Sequence, residues 1–157
     1  MANDCYNTLE APSDVIQDIA NKYITKESGI KKFNFNLITP IPEENENWYK
    51  ERIEKWGTSR YGYDVSCGDN YIMFDSAWCP PIPILSKLAE LYKGHEISLS
   101  YDEPGNGFVG LATAEWQDGK VILVDECRDM TREDYIEMYG YDEETVNEMF
   151  GDENENN

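Results

Sequence analysis

YIMFDSAWCPPIPILSKLAELYKGHEISLSYDE, residues 71–103, is the stretch on which the fold turns. Tyr71 to Ser76 is rich in aromatic and β-favouring residues and reads as a strand. Pro80-Pro81 closes that strand and opens a helix, because proline fits the first helical turn and no later one. Ile84, Leu85, Leu88, Leu91 and Tyr92 then recur at helical spacing up to Gly94, and Ile97, Leu99 and Tyr101 alternate with Ser98 and Ser100. The unit is strand, helix, strand. Downstream, Asp102 to Gly107 supplies a Pro/Gly/Asn-rich turn. Asp118-Gly119, between Phe108–Gln117 and Lys120–Glu126, is a two-residue hairpin signal.

Upstream, the same kind of unit appears once more. Cys5 to Glu10 is short enough for a strand. Val15, Ile16, Ile19, Ala20, Tyr23 and Ile24 form one helical stripe, with Ser13 or Asp14 as N-cap and Gly29 as stop. Phe33, Phe35 and Leu37, alternating with Asn34, Asn36 and Ile38, predict a half-buried strand ended by Pro40 and Pro42. Glu43 to Asp69 reads as a long insertion with a short amphipathic helix on Trp48, Tyr49, Arg52, Ile53, Lys55 and Trp56, broken up by Gly57, Gly62 and Gly68. The order β-α-β-β-α-β, followed by a hairpin, predicts an α+β fold. It is a ferredoxin-like antiparallel sheet with two helices on one face, extended by a C-terminal β-hairpin and short acidic helices. Residues 1–127 form the expected domain with its insertion at about 43–69, 128–150 an acidic helical appendage, and 151–157 a disordered tail.

Charge separates these parts. The 157 residues carry 32 acidic and 13 basic side chains, a formal net charge of −19. Residues 1–100 account for −5 of it and residues 101–157 for −14. From Asp129 onward 11 acids face one base, Arg132. Direct binding to nucleic acid or to an anionic membrane needs the opposite excess, so the expected partner is a protein with a basic surface. No run approaches the roughly 20 apolar residues of a membrane span, and Met1 to Glu10 lacks the order of a secretory leader. Cys5, Cys67, Cys79 and Cys127 are dispersed, with no Cys-x-x-Cys pair, and His95 is the single histidine. Reduced structural thiols in a cytoplasm are expected, without a metal site, a cofactor or a catalytic constellation.

Several short motifs together resemble one family. Asn3-Asp4-Cys5-Tyr6-Asn7, Phe33 to Pro42, Trp56-Gly57-Thr58, Ser76-Ala77-Trp78-Cys79-Pro80-Pro81, and Tyr101 to Gly105 with Phe108-Val109-Gly110 are similar to the YubB-type ferredoxin-like domain of plasmid and phage proteins. The resemblance runs from about Asn3 to about Asp125. It implies a ferredoxin-like domain encoded on a mobile element and working in a host cytoplasm. It carries no activity over to particular residues.

Trp56, Trp78, Pro80 and Pro81 suggest an aromatic surface, weighed against a role in locking the insertion onto the sheet. Asp102 and Glu103 precede a turn without the ligand spacing of a calcium loop, which leaves Glu103 as an exposed turn residue. The acidic C-terminal stretch is more informative. Thr131 with Asp134 resembles a capping box, Tyr135, Ile136, Met138 and Tyr139 offer an apolar side, and Asp142 caps a second helix bearing Val146, Met149 and Phe150. Ordered helices would hold Glu133, Asp134, Glu137, Asp142, Glu143, Glu144 and Glu148 in a dense array, with Tyr139 and Tyr141 adding contact area. The expected function is non-enzymatic: inhibition of a host nucleic-acid-handling or defence protein, by mimicry of nucleic acid. The alternative is a non-inhibitory interaction or ligand-binding module that uses the sheet face or the insertion.

Overall fold

The structure is a computed structural model and describes residues 2–151. Asp4–Glu10 forms β1, and Ser13–Tyr23 forms α1. The α1 N-cap is Pro12, with no side-chain cap from Ser13 or Asp14, and Gly29 lies beyond the helix in a hairpin turn. That hairpin pairs β2 (Ile24–Glu27) with β3 (Ile30–Phe33) as a separate two-stranded sheet.

The predicted strand over Phe33 to Ile38 is corrected here. The chain leaves β3 at Phe33 and makes a single helical turn, α2 (Phe35–Ile38). The apolar spacing is three, not two: Phe35 and Ile38 are buried, whereas Leu37, which alternation would bury, is exposed. Asn36 Oδ1 accepts the Ile41 N–H at 2.7 Å and ties off this turn. Next comes α3 (Trp48–Lys55), and the sheet's second strand is β4 (Tyr63–Cys67), inside the segment expected to be an insertion. Gly62 allows the return: its backbone pairs with Phe33, and a Cβ there would stand 2.7 Å from the Phe33 Cβ.

The rest follows the sequence reading closely. β5 (Tyr71–Ala77) leads through Pro80-Pro81 into α4 (Ile82–Leu91) and then β6 (Ile97–Glu103). Phe108–Gln117 (β7) and Lys120–Asp129 (β8) form a hairpin at Asp118-Gly119, where both residues have positive φ (51° and 83°) as a type I′ turn requires. The six-stranded sheet has the order β4-β5-β1-β6-β7-β8, with every pairing antiparallel. Its four-strand centre is the ferredoxin-like arrangement, and β7 and β8 extend it at one edge.

One face of the sheet is dry. Cys5, Leu9, Ile72, Phe74, Ile97, Leu99, Tyr101, Ala112 and Ala114 meet Val15, Ile16 and Ile19 of α1 and Ile84, Leu85 and Leu88 of α4. Phe33, Phe35 and Phe74 pack with ring centroids 5.0–6.0 Å apart, and Trp56 closes this cluster with its Nε1 donating to the Thr39 carbonyl at 2.8 Å. The alternate side chains, among them Tyr6, Thr8, Met73, Asp75, Ser100, Asp102, Leu111 and Val124, line the opposite face by the strand register. No helix of the described residues is long and apolar enough to cross a membrane.

Candidate functional site

The C-terminal helices are built by local capping and then anchored on the open face of the sheet. Thr131 and Asp134 form a reciprocal capping box at the start of α5 (Arg132–Tyr139), which ends on left-handed Gly140. Asp142 accepts the Thr145 N–H at 2.8 Å and caps α6 (Glu143–Phe150). Met130, Tyr135 and Val146 form a small second core, joined by Val109 and Tyr139. Besides the Arg128–Asp134 pair from β8, three bonds tie this unit to β6 and the turn after it. Met130 N–H donates to the Gly107 carbonyl at 2.7 Å, the Tyr135 hydroxyl donates to the Pro104 carbonyl at 2.9 Å, and the Tyr139 hydroxyl donates to Asp102. The apolar side is narrower than expected, since Ile136, Met138 and Met149 are exposed.

The structure divides the candidate partner-binding residues into two groups. Asp134 is committed internally: besides capping α5, it takes a two-pronged bond from Arg128, at 2.6 and 3.0 Å. That guanidinium, followed by the Thr131 amide, holds its carboxyl well below the ordinary range. Asp142 is held ionised by its bonds to Thr145, and the Tyr139 hydroxyl is turned toward Asp102. Glu133, Glu137, Glu143, Glu144 and Glu148 are exposed, and none pairs with a described cation. Tyr141 is also exposed and stacks on Tyr135 at 5.7 Å. Glu133, Glu143 and Glu144 lie in first helical turns, where the helix dipole favours negative charge.

Negative charge continues onto the sheet, which composition alone did not place. On the open face, Asp4 accepts from the Tyr63 hydroxyl and Asp102 from Tyr139. Partial burial, then the neighbouring Asp64, pushes the Asp75 carboxyl up to about 7, and burial also raises Asp102. Two-residue alternation along β1, β5 and β6 was the available signal: Tyr6 faces Asp75 on one side and Asp102 on the other. Glu103 is a second correction. It is fully buried, because its carboxylate accepts the Gly105 and Asn106 amides of the turn in place of water.

The other motif residues carry structure. Asn7 donates to the Cys5 carbonyl and to Ser76 Oγ at 3.0 and 2.9 Å, and Thr58 donates to the Ala77 carbonyl at 2.8 Å, all in buried positions. Trp56 is buried but Trp78 is exposed, so the Trp/Pro set is split between core and surface. Of the four thiols only Cys5 is buried, where desolvation raises its pKa strongly; Cys67, Cys79 and Cys127 are exposed, contrary to the mostly structural role expected of them. No group of three or more His, Cys, Asp or Glu among the described residues is arranged to hold a metal ion. The expected disorder of residues 151–157 falls, apart from Gly151, outside the described residues.

No curated protein and no solved structure matches the chain. Residues 47–150, two thirds of the sequence, match the family described as the ferredoxin-like domain in Api92-like protein. The matched span runs from the start of α3 through α6, so it includes the acidic helices that lie outside the short motifs. It contains five of the six strands of the main sheet, β4 to β8, and leaves out β1. The chain belongs to this family of ferredoxin-like domains in Api92-like proteins.

Proposed function

We propose that the chain is a non-enzymatic binding protein whose acidic C-terminal helices dock on a basic surface of a host protein. The observation that carries this reading is the set of five exposed carboxylates on α5 and α6, Glu133, Glu137, Glu143, Glu144 and Glu148, without ion-pair partners among the described residues. They sit on helices fixed by caps and by a small core, so their geometry persists without a partner. Interleaved Met138, Tyr141, Met149 and Phe150 are exposed and supply the apolar contact that a salt-sensitive interface needs at its centre.

The partner's basic surface is one that ordinarily holds nucleic acid, as in a defence complex, and the phage or plasmid resemblance supports an inhibitory role in that setting. Such an interface gains steering from long-range charge and displaces nucleic acid by competition. The test is affinity purification from host lysate at low salt, with the eluate challenged by duplex DNA. The expected result is a partner that DNA displaces, that higher salt releases, and that the Glu143→Lys/Glu144→Lys/Glu148→Lys variant no longer retains. A partner kept by that variant at unchanged affinity removes the acidic helices from the interface.

A further inference from the structure

In a chain of net charge −19, residues 48–61 run the other way. WYKERIEKWGTSRY holds four bases, two acids and four aromatic residues. The fold gathers part of this segment into an open cleft of about 480 Å³, lined by Ala2, Trp48, Tyr49, Arg52, Ser59, Arg60 and Trp78. No carboxylate of the described residues lines it. Trp48, Tyr49 and Trp78 are all exposed, and no residue of α3 is fully buried. Trp78 stands in the left-handed backbone region at φ 69°, which L side chains avoid, and its N–H donates to the Asn3 carbonyl at 2.8 Å.

Arg52 is fixed before any ligand arrives. Its guanidinium lies 4.7 Å from the Trp48 ring, 4.8 Å from Trp56 and 5.3 Å from Tyr61, and its Nη1 donates to the Ser59 carbonyl at 3.1 Å. Its buried Nε has no hydrogen-bond partner. Neither Arg52 nor the exposed Arg60 is in an ion pair with a described carboxylate. Two uncompensated guanidinium groups select an anion, and arginine suits phosphate in particular. Three exposed rings select a flat partner. The volume lies within the range of roughly 300–1,000 Å³ for small-molecule sites.

From these features we infer that the cleft binds a free mononucleotide, its base against the exposed indoles and its phosphate on Arg52 and Arg60. Charge decides between a free nucleotide and a strand. The cleft lies at the end of the sheet where β1 begins and β5 finishes, next to the exposed Asp4 on the open face. A polyanion leaving the cleft meets that repulsion along its length, whereas a mononucleotide stays within the local positive field.

Calorimetry with adenosine monophosphate, adenosine, inorganic phosphate and a short single-stranded oligonucleotide tests the site. Saturable binding of the monophosphate is expected, with adenosine and phosphate each at least tenfold weaker. Arg60→Ala and Trp48→Ala, both at exposed positions, should each weaken it about tenfold while leaving the melting temperature unchanged. Arg60→Lys should recover part of the loss in charge but not in bidentate geometry. The Glu143→Lys/Glu144→Lys/Glu148→Lys variant should bind the monophosphate as the wild type does, which separates this site from the acidic helices. Absence of saturable binding up to about millimolar ligand, or wild-type affinity in both cleft variants, overturns the assignment. So does an oligonucleotide that binds more tightly than the monophosphate.

Discussion

The two cores of the molecule are held by different means. The main one is broad and dry: α1, α4, strands β1, β5, β6 and β7, and the Phe33, Phe35 and Trp56 cluster bury aliphatic and aromatic side chains together. The second is three buried residues, Met130, Tyr135 and Val146, and the elements around it rely on caps, tyrosine hydroxyls and the Arg128–Asp134 pair. Burial scales with area, so the main core supplies global stability. Caps and single polar bonds contribute about 1 kcal/mol each, enough to set the geometry of a small surface unit but too little to carry a fold. The acidic helices are thus a local unit on a scaffold that does not depend on them.

That contrast breaks most readily at its strong end. Phe35→Ala or Leu88→Ala should cost about 3–5 kcal/mol, lowering the midpoint of denaturant unfolding for every probe at once. Tyr135→Ala removes a ring packed against Tyr139, Tyr141 and Phe150 and should cost about 2–3 kcal/mol, confined to the appendage. Hydrogen exchange should then show α5 and α6 unprotected while β1 and β5 stay protected; loss of protection in both regions would merge the two cores into one cooperative unit.

Asp75 sharpens the comparison from the sheet side. Its folded pKa is raised, from 3.8 to about 7, so the stabilising form is the protonated one. Its contribution is complete below the unfolded value and is lost as pH rises through about 7. Asp75→Asn should therefore raise stability at pH 8 by on the order of 1 kcal/mol, after solvent screening of a half-exposed group, and change nothing near pH 3. Thermal melts across that range decide it. The smallest effect is expected at Arg128→Ala, where an exposed pair is lost but the Thr131–Asp134 box remains. A small loss of local stability should follow, and high salt should erase the difference.

Legibility followed the range of the interaction. Asp118-Gly119, the Thr131–Asp134 box and Asp142 were readable because a turn or a cap is completed within four residues. The spacing in α1 and α4 was readable for the same reason, and with β5 and β6 it carried the fold class. Phe33–Ile38 was misread because Phe33 and Phe35 fit a strand, and only the burial of Ile38 with the exposure of Leu37 shows the helical turn. β4 was missed because its five residues, Tyr-Asp-Val-Ser-Cys, are mostly polar and stay at a sheet edge, with a register shift between Tyr63 and Ser66.

Composition, local period and end-capping chemistry were enough for the class of fold, the excess of acid and the existence of ordered acidic helices. Each depends on neighbours in the chain. Which acids face outward was decided in three dimensions: Asp134 is taken by Arg128, Glu103 by the amides of its turn, and Asp102 by a tyrosine 37 residues away. The cationic cleft depends on distance in the same way. Trp48, Arg52 and Arg60 meet Trp78 only because β4 and β5 pair and bring the start of one segment to the end of another. Sheet register sets such meetings, and no local propensity encodes it.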